Sequence, residues 1–232
     1  MEANVMLKRF DTYIFDWDGT LNSPTIINHP IWLMFKKSGL INDLPASENE
    51  IVSSMKHAFF GKARRDFDDI ENTSFVKLAD IFFSLLKPRF HNGAREFLEK
   101  LNKSGKTTAL FTDGSLKRVY VEMKHLNALN YFDVILSAQS IKRIKPDPTG
   151  LEIIARTLKA NRRRCIYFGD RPEDIIAAKK AGMGSAAMLN GFSSAKSLLA
   201  AKPDFKFGSM EEALKAFESG LRTGKRITRI KP

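Results

Sequence analysis

The feature that most constrains this chain is a switch between two periodicities, repeated along its length. Five short apolar runs read as strands: Thr12-Tyr13-Ile14-Phe15-Asp16, then 107–111, 134–136, 165–168 and 185–189. Helical spacing fills the intervals, over about 92–103, 115–127, 149–159 and 172–181, and a Ser209/Glu212 capping box opens a last helix to about Phe217. Strands separated by helices are joined by crossovers rather than hairpins, so they pair in parallel, and a parallel sheet must be covered on both faces. The predicted fold class is therefore α/β, a three-layer, Rossmann-like parallel sheet core.

One stretch breaks the alternation. From about Ser23 to Pro88 there is no convincing strand but three helical patterns, near 29–38, 47–60 and 71–86. The expected organisation is a core built from 1–22 and 89–218, an inserted α-helical cap domain over 23–88, and a basic tail over 219–232. With 232 residues, 43% of them hydrophobic, the chain can bury a sizeable core. Cys165 is the single cysteine, which excludes an intrachain disulfide and a cysteine metal cage. No apolar run approaches the ~18 residues that span a bilayer, and the start lacks a secretory pattern, so no membrane contact and a cytoplasmic location are expected. The sequence sets no oligomeric state.

In an open parallel sheet, ligands sit at the carboxyl ends of the strands, so polar residues there are the functional candidates. Asp16-Trp17-Asp18-Gly19-Thr20 ends the first strand with two carboxylates two residues apart. Such a pair can divide its labour, one acid as nucleophile and one as proton donor. Thr112-Asp113-Gly114 follows the second strand, where a hydroxyl and free N–H groups near a helix start can hold phosphoryl oxygens, although Thr and Asp there serve equally as caps. Lys145-Pro146-Asp147-Pro148 presents a lysine from a stiff loop. In Gly169-Asp170-Arg171-Pro172-Glu173-Asp174, Asp170 stands at a strand tip and Asp174 one helical turn on. Carboxylates converging from separate strands suit Mg²⁺, which prefers hard oxygen donors; helix capping is the plainer account of the same acids.

These four motifs, in this order, resemble those of the haloacid dehalogenase-like hydrolase superfamily, over about residues 10–218. The resemblance is to its phosphatase branch, and the insertion is similar to the helical cap of phosphoglycolate phosphatases and phosphomutases. It implies a Mg²⁺-dependent phosphohydrolase acting on a small phosphorylated metabolite. Asp16 would be the nucleophile, Asp18 the general acid and base, and Lys145 the charge screen. Thr112, Asp113, Gly114 and Lys145 would bind the phosphoryl group. The metal would be held by Asp16, the Asp18 carbonyl and Asp170, with Asp174 in the outer shell. Two positions depart from the common pattern: Asp113 stands where Asn is frequent, and Arg171-Pro172 replaces a small polar residue. Arg171 can contact substrate or pair with a neighbouring acid.

Two other readings stay open, a phosphomutase of the same superfamily and a nucleic-acid-binding or end-processing phosphatase. The second rests on the net charge of +12 and on Arg222, Lys225, Arg226, Arg229 and Lys231, which follow Glu218 with no further acid. A solvated tail explains the same residues. Lys62, Arg64 and Arg65 can meet an anionic substrate or simply face solvent, and Trp17 reads as strand packing.

Overall fold

The structure is a computed structural model, and it describes residues 7–23 and 88–219. The predicted helices between 29 and 86, Lys62, Arg64, Arg65 and the tail lie outside the described residues.

Strand β1 (Thr12–Phe15) is buried at every position, as expected for a strand covered on both faces. It lies between β2 (Thr107–Thr112) and β4 (Cys165–Gly169), in register Thr12 with Thr107 and with Cys165. With β3 (Val134–Ser137), β5 (Gly184–Met188) and β6 (Phe205–Phe207) these form one sheet of order β3-β2-β1-β4-β5-β6, every pairing parallel. The order reverses between β1 and β4, so the crevice for a ligand opens at the carboxyl ends of those two strands. Asp16 and Asp170 are the residues that follow them.

Alternate side chains feed two cores. On one face Tyr13, Phe15, Leu110 and Phe168 pack against helices α1 (Ala94–Lys103), α2 (Leu116–His125) and α7 (Met210–Ser219), through Phe97, Val119 and Phe217. Phe15 and Phe168 stack at 5.0 Å, and Phe97 meets Tyr13, Phe15 and Phe168 edge-on. On the other face Ile14, Ala109, Phe111 and Tyr167 pack on α4 (Thr149–Thr157) and α5 (Pro172–Lys180), through Leu151, Ile154 and Ala177. This is the three-layer arrangement that the alternation predicts. A short helix α3 (Ala138–Ile141) follows β3 directly.

The edge differs from expectation. Helix α6 (Ala195–Ala200) and β6 were not anticipated as separate elements. Six residues of helix and three of strand are too short for a periodicity to declare itself, and β6 exists because it can pair with β5. At α7, Ser209 Oγ accepts from Glu212 N at 3.2 Å, while the Glu212 carboxylate reaches past the cap to Gly208 N at 2.6 Å. Among the described residues no helix is long and apolar enough to cross a membrane.

The two ends of the segment between Ser23 and Pro88 run side by side. Asn22 and Phe90 form an antiparallel bridge, Ser23 N donates to Arg89 O at 2.7 Å, and His91 N donates to Leu21 O at 2.9 Å. The chain therefore departs and returns at one place, four residues from Asp18.

Candidate active site

Asp16 continues the ladder beyond β1, its N–H donating to Phe168 O at 2.9 Å, which carries its carboxylate to the sheet's edge beside β4. Gly19 then takes φ 80°, and the N–H groups of Thr20, Leu21 and Asn22 turn back to Trp17 O. This tight loop brings Thr20 Oγ1 to 3.1 Å from Asp170 Oδ1. Phe192 N donates to the other oxygen, Oδ2, at 2.7 Å. A Cβ on Gly191 would lie 2.1 Å from that of Asp170, so glycine is required for the loop after β5 to approach so closely.

Asp16, Asp170 and Asp174 each offer an oxygen within 4.8 Å of the others, and all three are buried. Lys145, also buried, reaches them from its proline-stiffened loop: Nζ lies 2.9 Å from Asp16 Oδ1 and 2.8 Å from Asp174 Oδ1. It also donates to the Tyr167 hydroxyl at 3.1 Å, which in turn donates to Phe111 O at 2.9 Å. Burial pushes the Lys145 ammonium's pKa down, but Asp113, Asp16 and Asp174 outweigh it and hold it well above that of an ordinary lysine. Three carboxylates and one ammonium leave two negative charges in a dry pocket. An all-oxygen donor set with that deficit fits a hard divalent cation such as Mg²⁺. Asp174 is also held by the backbone, Arg171 N donating to its Oδ2 at 2.9 Å at the start of α5.

Thr112, Asp113 and Gly114 lie where β2 ends, beside this cluster. Thr112 Oγ1 accepts from Gly114 N at 3.0 Å, and Ser137 Oγ donates to Gly114 O at 2.7 Å, which ties the loop to β3. Asp113 is engaged structurally. It accepts from Lys145 N at 3.3 Å and from Arg171 Nη1 at 3.3 Å, with Lys145 Nζ 4.0 Å away. The two departures from the family pattern thus touch each other: the acid at 113 is met by the base at 171. Arg171 also pairs with Glu173 at 3.5 Å. Burial opposes its charge, yet Asp113, Asp174 and Glu173 hold the guanidinium protonated.

Asp18 lies on the far side of Gly114, in a network that the sequence does not announce. Arg118 forks onto it, Nη1 to Oδ1 at 3.0 Å and Nη2 to Oδ2 at 2.5 Å, and the same Nη1 reaches Glu122 Oε1 at 2.8 Å. Trp17 Nε1 donates to Glu122 Oε2 at 2.6 Å and Asn22 Nδ2 at 3.3 Å, so Trp17 does more than pack. A Cβ on Gly114 would lie 2.3 Å from Arg118 Nη2, so a side chain there would displace the guanidinium from its place on Asp18. Burial pushes the Glu122 carboxyl's pKa up against the pull of Arg118, and Asp18's charge adds to the push. Arg118 and Glu122 sit four apart on α2, a spacing also typical of solvent-exposed pairs, so sequence alone cannot separate the two cases. Tyr167 is concealed differently, inside the apolar run of β4.

The family model of the haloacid dehalogenase-like hydrolases matches residues 13–188. The chain is 27% identical over 164 residues to phosphoglycolate phosphatase of Vibrio parahaemolyticus, covering 71% of this chain and 68% of that one. It is 27% identical over 177 residues to validoxylamine A 7'-phosphate phosphatase of Streptomyces hygroscopicus subsp. limoneus, covering 73% and 81%. A haloacid dehalogenase-like hydrolase from Streptococcus pneumoniae shares the fold, with a TM-score of 0.68 at 19% identity over 90% of this chain and 99% of that one. The motifs, the sheet order and the family match agree, and the chain belongs to the haloacid dehalogenase-like hydrolases.

Proposed function

We propose that this protein is a Mg²⁺-dependent phosphohydrolase that cleaves a small phosphomonoester, of the phosphoglycolate or sugar-phosphate kind, through an aspartyl-phosphate on Asp16. The observation that carries the reading is the convergence of Asp16, Asp170 and Asp174 within 4.8 Å, with Lys145 between Asp16 and Asp174. Asp16, Asp170 and the Asp18 carbonyl would hold the ion, with Asp174 behind them, and when bound it supplies positive charge against the phosphoryl oxygens. Phosphate monoesters are dianions, so an anionic nucleophile needs opposing charge before it can approach.

Lys145 gives that charge from the protein's side and orients the Asp16 carboxylate. One Asp16 oxygen bonds to phosphorus as the bond to the leaving oxygen breaks. Asp18 gives its proton to that oxygen, then takes one from the water that releases phosphate and restores Asp16. Two carboxylates share the single Arg118 guanidinium, so a proton on Asp18 leaves Arg118 still paired with Glu122. Trp17 and Asn22 also donate to Glu122, which keeps that carboxylate in place beside Arg118. The predicted cap would close over the site, shield the acyl phosphate from bulk water and read the leaving group.

The test is Asp16→Asn, which removes the nucleophilic charge and little volume. Phosphate release from phosphoglycolate and a panel of sugar phosphates, and trapping of a phosphoprotein, should disappear together. Turnover at the wild-type rate in that variant, or no release from any monoester by the wild type with Mg²⁺, refutes the reading.

A further inference from the structure

The end of the sheet opposite the active site is basic, and the site chemistry makes no use of it. The turns that feed β1, β2 and β4 lie side by side there. Lys8 and Arg9 occupy the 3-10 turn Leu7–Arg9, Lys106 precedes β2, and the 3-10 turn Arg162–Arg164 precedes β4. Contacts show that they form one surface. Lys106 Nζ donates to Lys8 O at 3.1 Å and lies 3.5 Å from Asp11, and Arg164 Nη2 donates to the same Asp11 carboxylate at 2.7 Å. Lys8 Nζ donates to Glu218 O at 3.1 Å, near the end of α7. Five of the six cations are exposed, Lys106 being half-buried. Asp11 is shared by Lys106 and Arg164, Glu152 takes Arg162 at 2.9 Å, and among the described residues Arg9 and Arg163 have no ion-pair partner.

We propose that this surface is a sequence-independent docking site for the phosphate backbone of nucleic acid, set behind the catalytic site. A single phosphate group calls for donors that converge on one point. Here the convergent pair, Lys106 and Arg164, is already spent on Asp11, while the remaining cations, Lys8, Arg9, Arg162 and Arg163, are spread along the turns before two neighbouring strands, β1 and β4. That spread suits a polyanion. Membrane docking calls for apolar side chains to insert beside the charges. The exposed large apolar residues of the described chain, Leu116, Tyr120, Val121 and Ile176, belong to α2 and α5, and none lies on these turns. Strands of four to six residues put the surface roughly 15 Å from the strand tips that bear Asp16 and Asp170, so a bound strand leaves the catalytic crevice open.

The experiment is fluorescence anisotropy of the full chain with a labelled 20-base-pair DNA duplex and a labelled 20-nucleotide RNA, from 50 to 200 mM salt. Engaging about four phosphates gives the duplex a log–log salt slope near −3.6, a loss of about 150-fold across that range. Arg9→Gln/Arg162→Gln/Arg163→Gln should bring the slope to about −1 and weaken binding at 50 mM at least tenfold, with phosphate release unchanged. The corresponding triple lysine variant, which keeps the charge, should bind like the wild type. A chain ending at Ser219 separates the tail from this surface and should keep the sensitivity to the triple glutamine change. Binding that ignores the triple change, no binding at 50 mM salt, or binding of phosphatidylserine vesicles in preference to both nucleic acids overturns the proposal.

Discussion

Arg118→Met tests the buried network around Asp18 most directly. The substitution keeps the length of the stem and removes the guanidinium from two carboxylates that lie 2.5–3.0 Å from it. The side chains of Arg118, Asp18 and Glu122 are 4%, 9% and 6% exposed, so water cannot take over the lost pairing. Removing one member of a buried ion pair costs about 3–5 kcal/mol because the other is left unpaired, and with two acids stranded the upper end applies. For a chain of this size about 5 kcal/mol lowers Tm by roughly 10–20 °C. The deficit should depend on pH. Without Arg118 the two buried carboxyls bind protons at higher pH in the folded state than in the unfolded chain. The folded state then holds more protons, and stability falls as pH rises out of the ordinary carboxylate range. Burial already pushes Glu122 the same way in the wild type, and there Arg118 opposes it. Urea denaturation at pH 5 and pH 8 should show the larger deficit at pH 8. A loss below about 1 kcal/mol, or an equal loss at both pH values, would refute the account of a dry, two-acid network.

Three further outcomes follow from the geometry. Burial, with Arg89 adding to it, lowers the His91 pKa to about 4, so the folded state holds fewer protons than the unfolded chain between about 4 and 6.5. Stability should therefore decline as pH falls through that window, by on the order of 2 kcal/mol after allowing for partial exposure, and His91→Gln should flatten the decline in a thermal-melt series. Trp17→Phe keeps the ring's packing but strands one bond to a buried carboxylate, for a cost of about 1.5–3 kcal/mol, and a loss under ~0.5 kcal/mol in urea would count against it. Gly191→Ala drives a Cβ into Asp170 and should cut phosphate release at least tenfold; unchanged kcat and KM would mean that Asp170 is not held in place from that side.

How much was legible in advance follows from the range of each signal. The five predicted strands and the layering came from local periodicity, because burial on both faces demands apolar runs and helical crossovers leave a 3.6-residue spacing. Asp16, Thr112 and Asp170 stood out as candidates for a related reason: a polar residue directly after an apolar strand emerges at the ligand end of a parallel sheet. Strand β6, helix α6 and the partners of Asp113 were not.

What the chain decides by itself is the order of its elements and which side chains stand at strand tips, since both depend on neighbours a few residues away. What only the tertiary structure decides is which distant charges share a pocket. Arg118 meets Asp18 across 100 residues and Lys145 meets Asp16 across 129, and Arg171 reaches Asp113 rather than Glu173 alone. The physical reason is that an ion pair's strength depends on distance and burial, and both are set by how the sheet brings separate strand ends together rather than by spacing along the chain.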